Sequence, residues 1–277
     1  MTTVELAAPR VADGIDARTY HADPALSSSQ VRDLLVTPAR YRWRRTHPLE
    51  PTRAMQIGTL VHTEVFGVGT RAWVTESEEW RTKDAKAEVA EAEANGHIPV
   101  RPSDWALIAG MVAAVRAHPL AGQLLDPERG TPERAIWWTD ERTGTPCRAL
   151  IDWSPANGRS LVDLKTTGDV APDGLGRLFS AHGYPIQGAH YLRAAAAAGL
   201  VGPGAPFVFV LVSRDPPHDV VVARSDPQDL AWADDQCERA YEMWRDCTES
   251  GLWPGYSTDL ITVTMPPWAR RDAEEYL

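Results

Sequence analysis

Lysine is almost missing from this chain. Of its 28 basic residues, 25 are Arg and three are Lys, namely Lys83, Lys86 and Lys165. Cysteine is scarce as well. Cys147, Cys237 and Cys247 are odd in number and widely spread, which excludes a disulfide framework and a cysteine-rich zinc site. The longest mostly apolar run, Ala205 to Val212, falls far short of the ~20 residues that span a bilayer. Met1 to Arg10 has no basic stretch followed by an apolar one, so no secretory leader is expected and a cytoplasmic location is. Four motifs are absent: G-x-x-x-x-G-K-[ST], H-E-x-x-H, G-x-S-x-G and G-x-G-x-x-G. Their absence weighs against an ATP-driven motor, a metalloprotease, a serine hydrolase and a dinucleotide enzyme. Basic charge is also short: the net charge is −10, which by itself argues against a phosphate-rich partner.

What remains is a chain of 277 residues that is 43% hydrophobic, enough for a sizeable core. Its charge is uneven. Residues 27–60 hold six Arg against Asp33 and Glu50, a net of +4, and residues 226–277 hold 12 acids and four Arg, a net of −8. The basic stretch reads either as a solvated helix face or as a wall for an anionic partner carrying Arg44, Arg45 and Arg53.

Residues 1–19 lack periodicity and read as a loose lead-in. A helical part follows over 27–118, with a hydroxyl cap at Ser27–Ser29, a buried helix at Met55–Phe66, a polar helix within 76–95 and a helix capped by Ser103. Beyond Pro132 the pattern changes to a meander of short strands, at Arg134–Thr139, Cys147–Trp153 and Leu161–Lys165. Helices near 175–182 and 186–198 and strands at Phe207–Val212 and Val220–Ala223 complete a catalytic part over 132–225. An acidic helix over 227–249 closes a domain spanning 20–250, and 251–277 reads as an irregular tail. The expected class is α/β (α+β), a central mixed sheet flanked by helices.

Strand period is two, so Asp163 and Lys165 share one face of their strand. Asp152 ends the preceding strand, and antiparallel pairing would bring it close to Asp163. Two neighbouring carboxylates invite a hard cation such as Mg²⁺ or Mn²⁺, and the Leu164 carbonyl could add a ligand. Lys165 beside them could orient or deprotonate a water and neutralise charge on a phosphoryl group. The same residues also fit a turn cap and a plain salt bridge. The scarcity of lysine favours the chemical reading, because Lys differs from Arg in being a compact charge with a tunable pKa. Gln187 and Tyr191 lie i, i+4 on one helix face, as do Gly58 and His62. A histidine such as His62 on an apolar helix fits either a core position or a ligand.

In order, Gly58-x-x-x-His62, Asp152, Asp163-Leu164-Lys165 and Gln187-x-x-x-Tyr191 resemble the signature of the RecB-like branch of the PD-(D/E)XK nucleases. The segments Tyr20–Ser29, Trp138–Arg148, Asp163–Thr167 and Gly183–Gln187 resemble the exonuclease VIII (RecE) group within it. The resemblance implies a restriction-endonuclease-like core and a Mg²⁺-dependent exodeoxyribonuclease, with Mn²⁺ as a substitute. It implies digestion of linear double-stranded DNA from its ends, 5′ to 3′, leaving 3′ single strands for recombination. Asp152, Asp163 and His62 would hold the metal, Lys165 would be the catalytic lysine, and Gln187 and Tyr191 would position the strand. Glu133 would stand for the acid that precedes the meander, whereas Glu64 reads as structural. The implied partners are DNA ends and a phage-type single-strand annealing protein, with a trimeric or tetrameric ring as the assembly and no membrane. The cysteine quartet of iron–sulfur relatives is missing.

Overall fold

Strand alternation and tight turns organise the middle of the chain, and helices close over it from both sides. The computed structural model describes residues 8–269; the outermost parts of the expected lead-in and tail, 1–7 and 270–277, lie outside the described residues. In chain order the elements are β1 (Arg10–Asp13), α1 (Ala17–Ala22), α2 (Ser28–Val36), α3 (Pro38–Thr46), α4 (Arg53–Phe66), β2 (Ala72–Val74), α5 (Lys83–Ala94), β3 (Ile98–Val100), α6 (Pro102–Ala117), α7 (Pro119–Leu124), β4 (Gly130–Thr139), β5 (Pro146–Pro155), β6 (Leu161–Thr167), α8 (Leu175–His182), α9 (Tyr184–Ala197), β7 (Phe207–Ser213), β8 (Val220–Arg224) and α10 (Pro227–Ser250).

Six strands form a mixed sheet in the order β1-β4-β5-β6-β7-β8, while β2 and β3 make a separate parallel pair. The sheet is antiparallel except between β6 and β7, which α8 and α9 connect. This is the α/β class expected from the sequence. Each face of the sheet has its own core. Leu161, Phe207, Phe209 and Leu211 pack with Val31, Leu34 and Tyr241. Val162, Leu164, Val210 and Val212 pack with Leu60, Val61, Ile108 and Met111. The period-two alternation along β6 and β7 feeds both layers. It leaves Asp163 and Lys165 on the same side as Leu161.

Local chemistry explains the helix ends near the site. Thr52 caps α4 by accepting from the Met55 N–H, and Gly67 ends it at φ 74°, a conformation favouring glycine. Gln30 accepts from the Ser27 N–H at 2.9 Å, one half of a capping box before α2. Two expectations change. Residues 10–13 are not loose: they pair antiparallel with β4 as an edge strand too short for periodicity to reveal. Ser103 lies inside α6 rather than at its cap, because Pro102 already occupies the first turn and the Ser103 N–H and hydroxyl bond to Glu78.

Candidate active site

Strands β5 and β6 meet and then part. Trp153 pairs with Val162, and beyond that point side chains replace the ladder. The Leu164 N–H donates to Asp152 Oδ2 at 3.0 Å, and the Leu164 carbonyl lies 2.6 Å from His62 Nε2. A carbonyl only accepts, so Nε2 carries the proton in this contact. The opening therefore leaves no orphaned backbone group at Leu164. It also holds the two side chains in place, with His62 Nδ1 3.5 Å from Asp152 Oδ2. Gly58 lets α4 come this near: a Cβ there would lie 3.3 Å from Thr166 Oγ1, a tight approach.

Asp163 is fully buried. Gln187 Nε2 donates to its Oδ1 at 2.7 Å, and Lys165 Nζ stands 2.5 Å from its Oδ2. That second contact is an ion pair lacking hydrogen-bond alignment, so Oδ2 is a buried oxygen that accepts no hydrogen bond. Burial, and then the Asp152 carboxylate, push the Asp163 pKa up to about 6 against the pull of Lys165. Burial works to lower Lys165, but Asp163 and Asp152 together more than offset it and hold the ammonium up. Lys165 Nζ also lies 5.7 Å from the Tyr184 ring centroid, a cation–π contact.

Glu133 occupies the β4 position opposite Asp152, where pairing is skipped between Pro132 and Arg134. Its φ is 43°, strained for a residue with a side chain. Burial and the Asp152 charge raise its carboxyl pKa, and His62 opposes them. Glu133, His62, Asp152 and Lys165 all line an open cleft of ≈ 1190 Å³.

The sequence-derived residues are thus divided. Asp152, Asp163, Leu164, Lys165, His62 and Gln187 come together. Tyr191 is buried, one helical turn on from Gln187; desolvation, then Asp152 and Asp163, raise its phenol pKa. The arginines scatter. Arg53 is held by a fork to Asp104, with Nε 3.0 Å from Oδ2. Arg45 donates to Pro24 O at 3.1 Å, and Arg44 is half-exposed on α3. Arg40 pairs with Asp33 and Arg42 reaches Gly251 O, so α3 offers no continuous wall. Arg32 alone of this group is tied to the cleft rim, through His182 O. Arg71 and Arg214 line the cleft without having been singled out from the sequence, beside Tyr184 of the Gly183–Gln187 run.

The donors suit a hard divalent cation. Two carboxylates lie close enough to raise one pKa, and a carbonyl and an imidazole stand beside them. Among the described residues, no three His, Cys, Asp or Glu side chains converge as a metal-holding group. His62 Nε2 is engaged by Leu164 and Asp163 by Lys165.

Residues 27–262 match a family described as "PDDEXK-like domain of unknown function (DUF3799)". A crystal structure from Eubacterium rectale, described as "Putative exonuclease", shares the fold at a TM-score of 0.59. It is 13% identical in sequence, and the alignment covers 92% of this chain and 97% of that one. No curated protein matches the chain.

Proposed function

The chain belongs to the PDDEXK-like domain family matched over residues 27–262, and on that premise we propose that it is a metal-dependent nuclease. Its substrate in this reading is linear double-stranded DNA, digested from the ends 5′ to 3′ to give 3′ single strands. One observation carries the proposal. The only lysine outside α5 faces a buried aspartate, beside a second aspartate, at the floor of an open cleft. A structural salt bridge has no need of the second carboxylate, which raises the Asp163 pKa.

Asp152, Asp163, the Leu164 carbonyl and His62 would hold Mg²⁺, or Mn²⁺ in its place. When bound, the cation supplies Lewis acidity and charge neutralisation at the phosphoryl group. Lys165, kept protonated by its neighbours, orients the attacking water and balances charge that grows on the phosphate oxygens. Gln187 holds Asp163, and Tyr191 would position the strand. Glu133 adds a third carboxylate at the rim of the cleft. The resemblance to the exonuclease VIII group further supports a ring of three or four copies and a single-strand annealing partner, both as parts of this proposal. No helix among the described residues is long and apolar enough to cross a membrane.

The test is digestion of linear and closed circular duplex DNA with Mg²⁺ or Mn²⁺. Loss of linear DNA alone supports the exonuclease. Cleavage of closed circles favours an endonuclease on the same fold. DNA-end binding without cleavage under either ion favours a non-catalytic module.

A further inference from the structure

Arg214 has no task in the site described above. It follows β7 directly, and its N–H donates to Thr167 O at 2.8 Å, which fixes it to the end of β6. Lys165 pairs with Leu211 and Thr167 with Ser213, so Arg214 stands three residues along the sheet from the level of Lys165. At ~3.3 Å per strand residue that is roughly 10 Å. The guanidinium overlies Gly168, where a Cβ would sit 3.5 Å from Nη2. Arg214, Gly168 and Ala54 line both the catalytic cleft and a second hollow of ≈ 360 Å³ beside it.

Arg214 forms no close ion pair among the described residues, although Asp215 lines the second hollow beside it. The Arg214 Nε is buried and reaches no hydrogen-bond acceptor. Arg53, across the second hollow, differs in being held by Asp104. The buried Nε of Arg214 is closed to a ligand, but a guanidinium that lines the cleft and enters no ion pair can accept an anionic partner there. A planar fork beside Gly168, which has no side chain to crowd it, suits a phosphate.

We propose that Arg214 binds a backbone phosphate of the nucleic-acid strand in the cleft. The assignment rests on the nuclease reading of the cleft and adds a residue which that reading does not use.

The experiment is fluorescence anisotropy of labelled duplex DNA with the full chain in EDTA, across a salt series, with cleavage kinetics in Mg²⁺ and Mn²⁺ beside it. Arg214→Gln is expected to weaken binding roughly tenfold and to lower the salt slope by about 0.9. Its KM rises while kcat changes little. Arg214→Lys keeps the slope and recovers part of the affinity, and it carries the test if the Gln variant melts early. Wild-type affinity and slope in Arg214→Gln would overturn the proposal. If binding depends on Arg214 but neither ion supports cleavage, the catalytic reading fails and the phosphate assignment stands. A wild-type protein with no affinity for DNA overturns both.

Discussion

Lys165 and Asp163 hold each other in a state that is stable only while both charges are present. Removing the ammonium leaves a buried carboxylate beside another one. Lys165→Ala is therefore expected to abolish turnover by on the order of a thousandfold. Lys165→Arg should not rescue it, because the larger planar fork cannot take the place of a compact ammonium 2.5 Å from Asp163 Oδ2. Steady-state cleavage rates check both variants, and melting curves confirm that they fold. Gln187→Ala should cost about 1–3 kcal/mol by leaving Asp163 Oδ1 without its donor, read by denaturant unfolding. At this scale much was legible from spacing. The i, i+4 and i, i+2 intervals put His62, Asp163, Lys165 and Gln187 forward, and all of them meet. Arg214 and the strained backbone at Glu133 were not legible. Their places depend on the parallel pairing of β6 with β7 and on the skipped pair in β4, and no local pattern encodes either.

Among the elements, the parting of β5 from β6 does the positioning, and α4 must approach closely for His62 to reach Leu164 O. Gly58→Val would drive a branched side chain against Thr166. Lower activity and a loss of about 1–3 kcal/mol in stability are expected, measured by cleavage rate and unfolding midpoint. Helix α9 is fixed on its other side by His190, whose Nδ1 lies 2.7 Å from Tyr241 Oη and whose Nε2 lies 2.9 Å from Arg148 O. Burial lowers the His190 pKa from its ordinary 6.5 to about 4. A histidine whose folded pKa is depressed supports the fold fully above pH 6.5 and loses that support as pH falls toward 4. The loss amounts to roughly 3 kcal/mol, and His190→Asn should flatten the stability–pH profile between those limits in denaturant titrations. Strand alternation and turn residues made the meander readable, as hydroxyl caps did for α2. The edge strand β1 was not readable, because four residues pairing with a strand more than a hundred positions away have no period of their own.

For the whole molecule, the net charge of −10 conceals a division of labour. Acidic α10 is knitted to its neighbours through Arg193, which pairs with Asp234 and Glu238, and through Arg142. Most arginines of residues 27–60 likewise bind protein groups, so regional charge counts overstated the basic surface available to DNA. The cleft instead is lined by a few cations, Lys165 on β6, Arg214 just after β7 and Arg71 just before β2, with Arg32 tied to His182 at its edge. DNA affinity should accordingly fall with salt on a shallow slope, matching a few phosphate contacts at about 0.9 each. Chelation of divalent ions is expected to stop cleavage and spare binding, and readdition of Mg²⁺ or Mn²⁺ to restore it. The measurement that bears most directly on the account is the rate of linear duplex DNA loss with Mg²⁺ or Mn²⁺ for wild type and Lys165→Ala, side by side. The account predicts rapid digestion by wild type and none by the folded variant. Equal rates for the two proteins, or intact DNA with both under either ion, would contradict it.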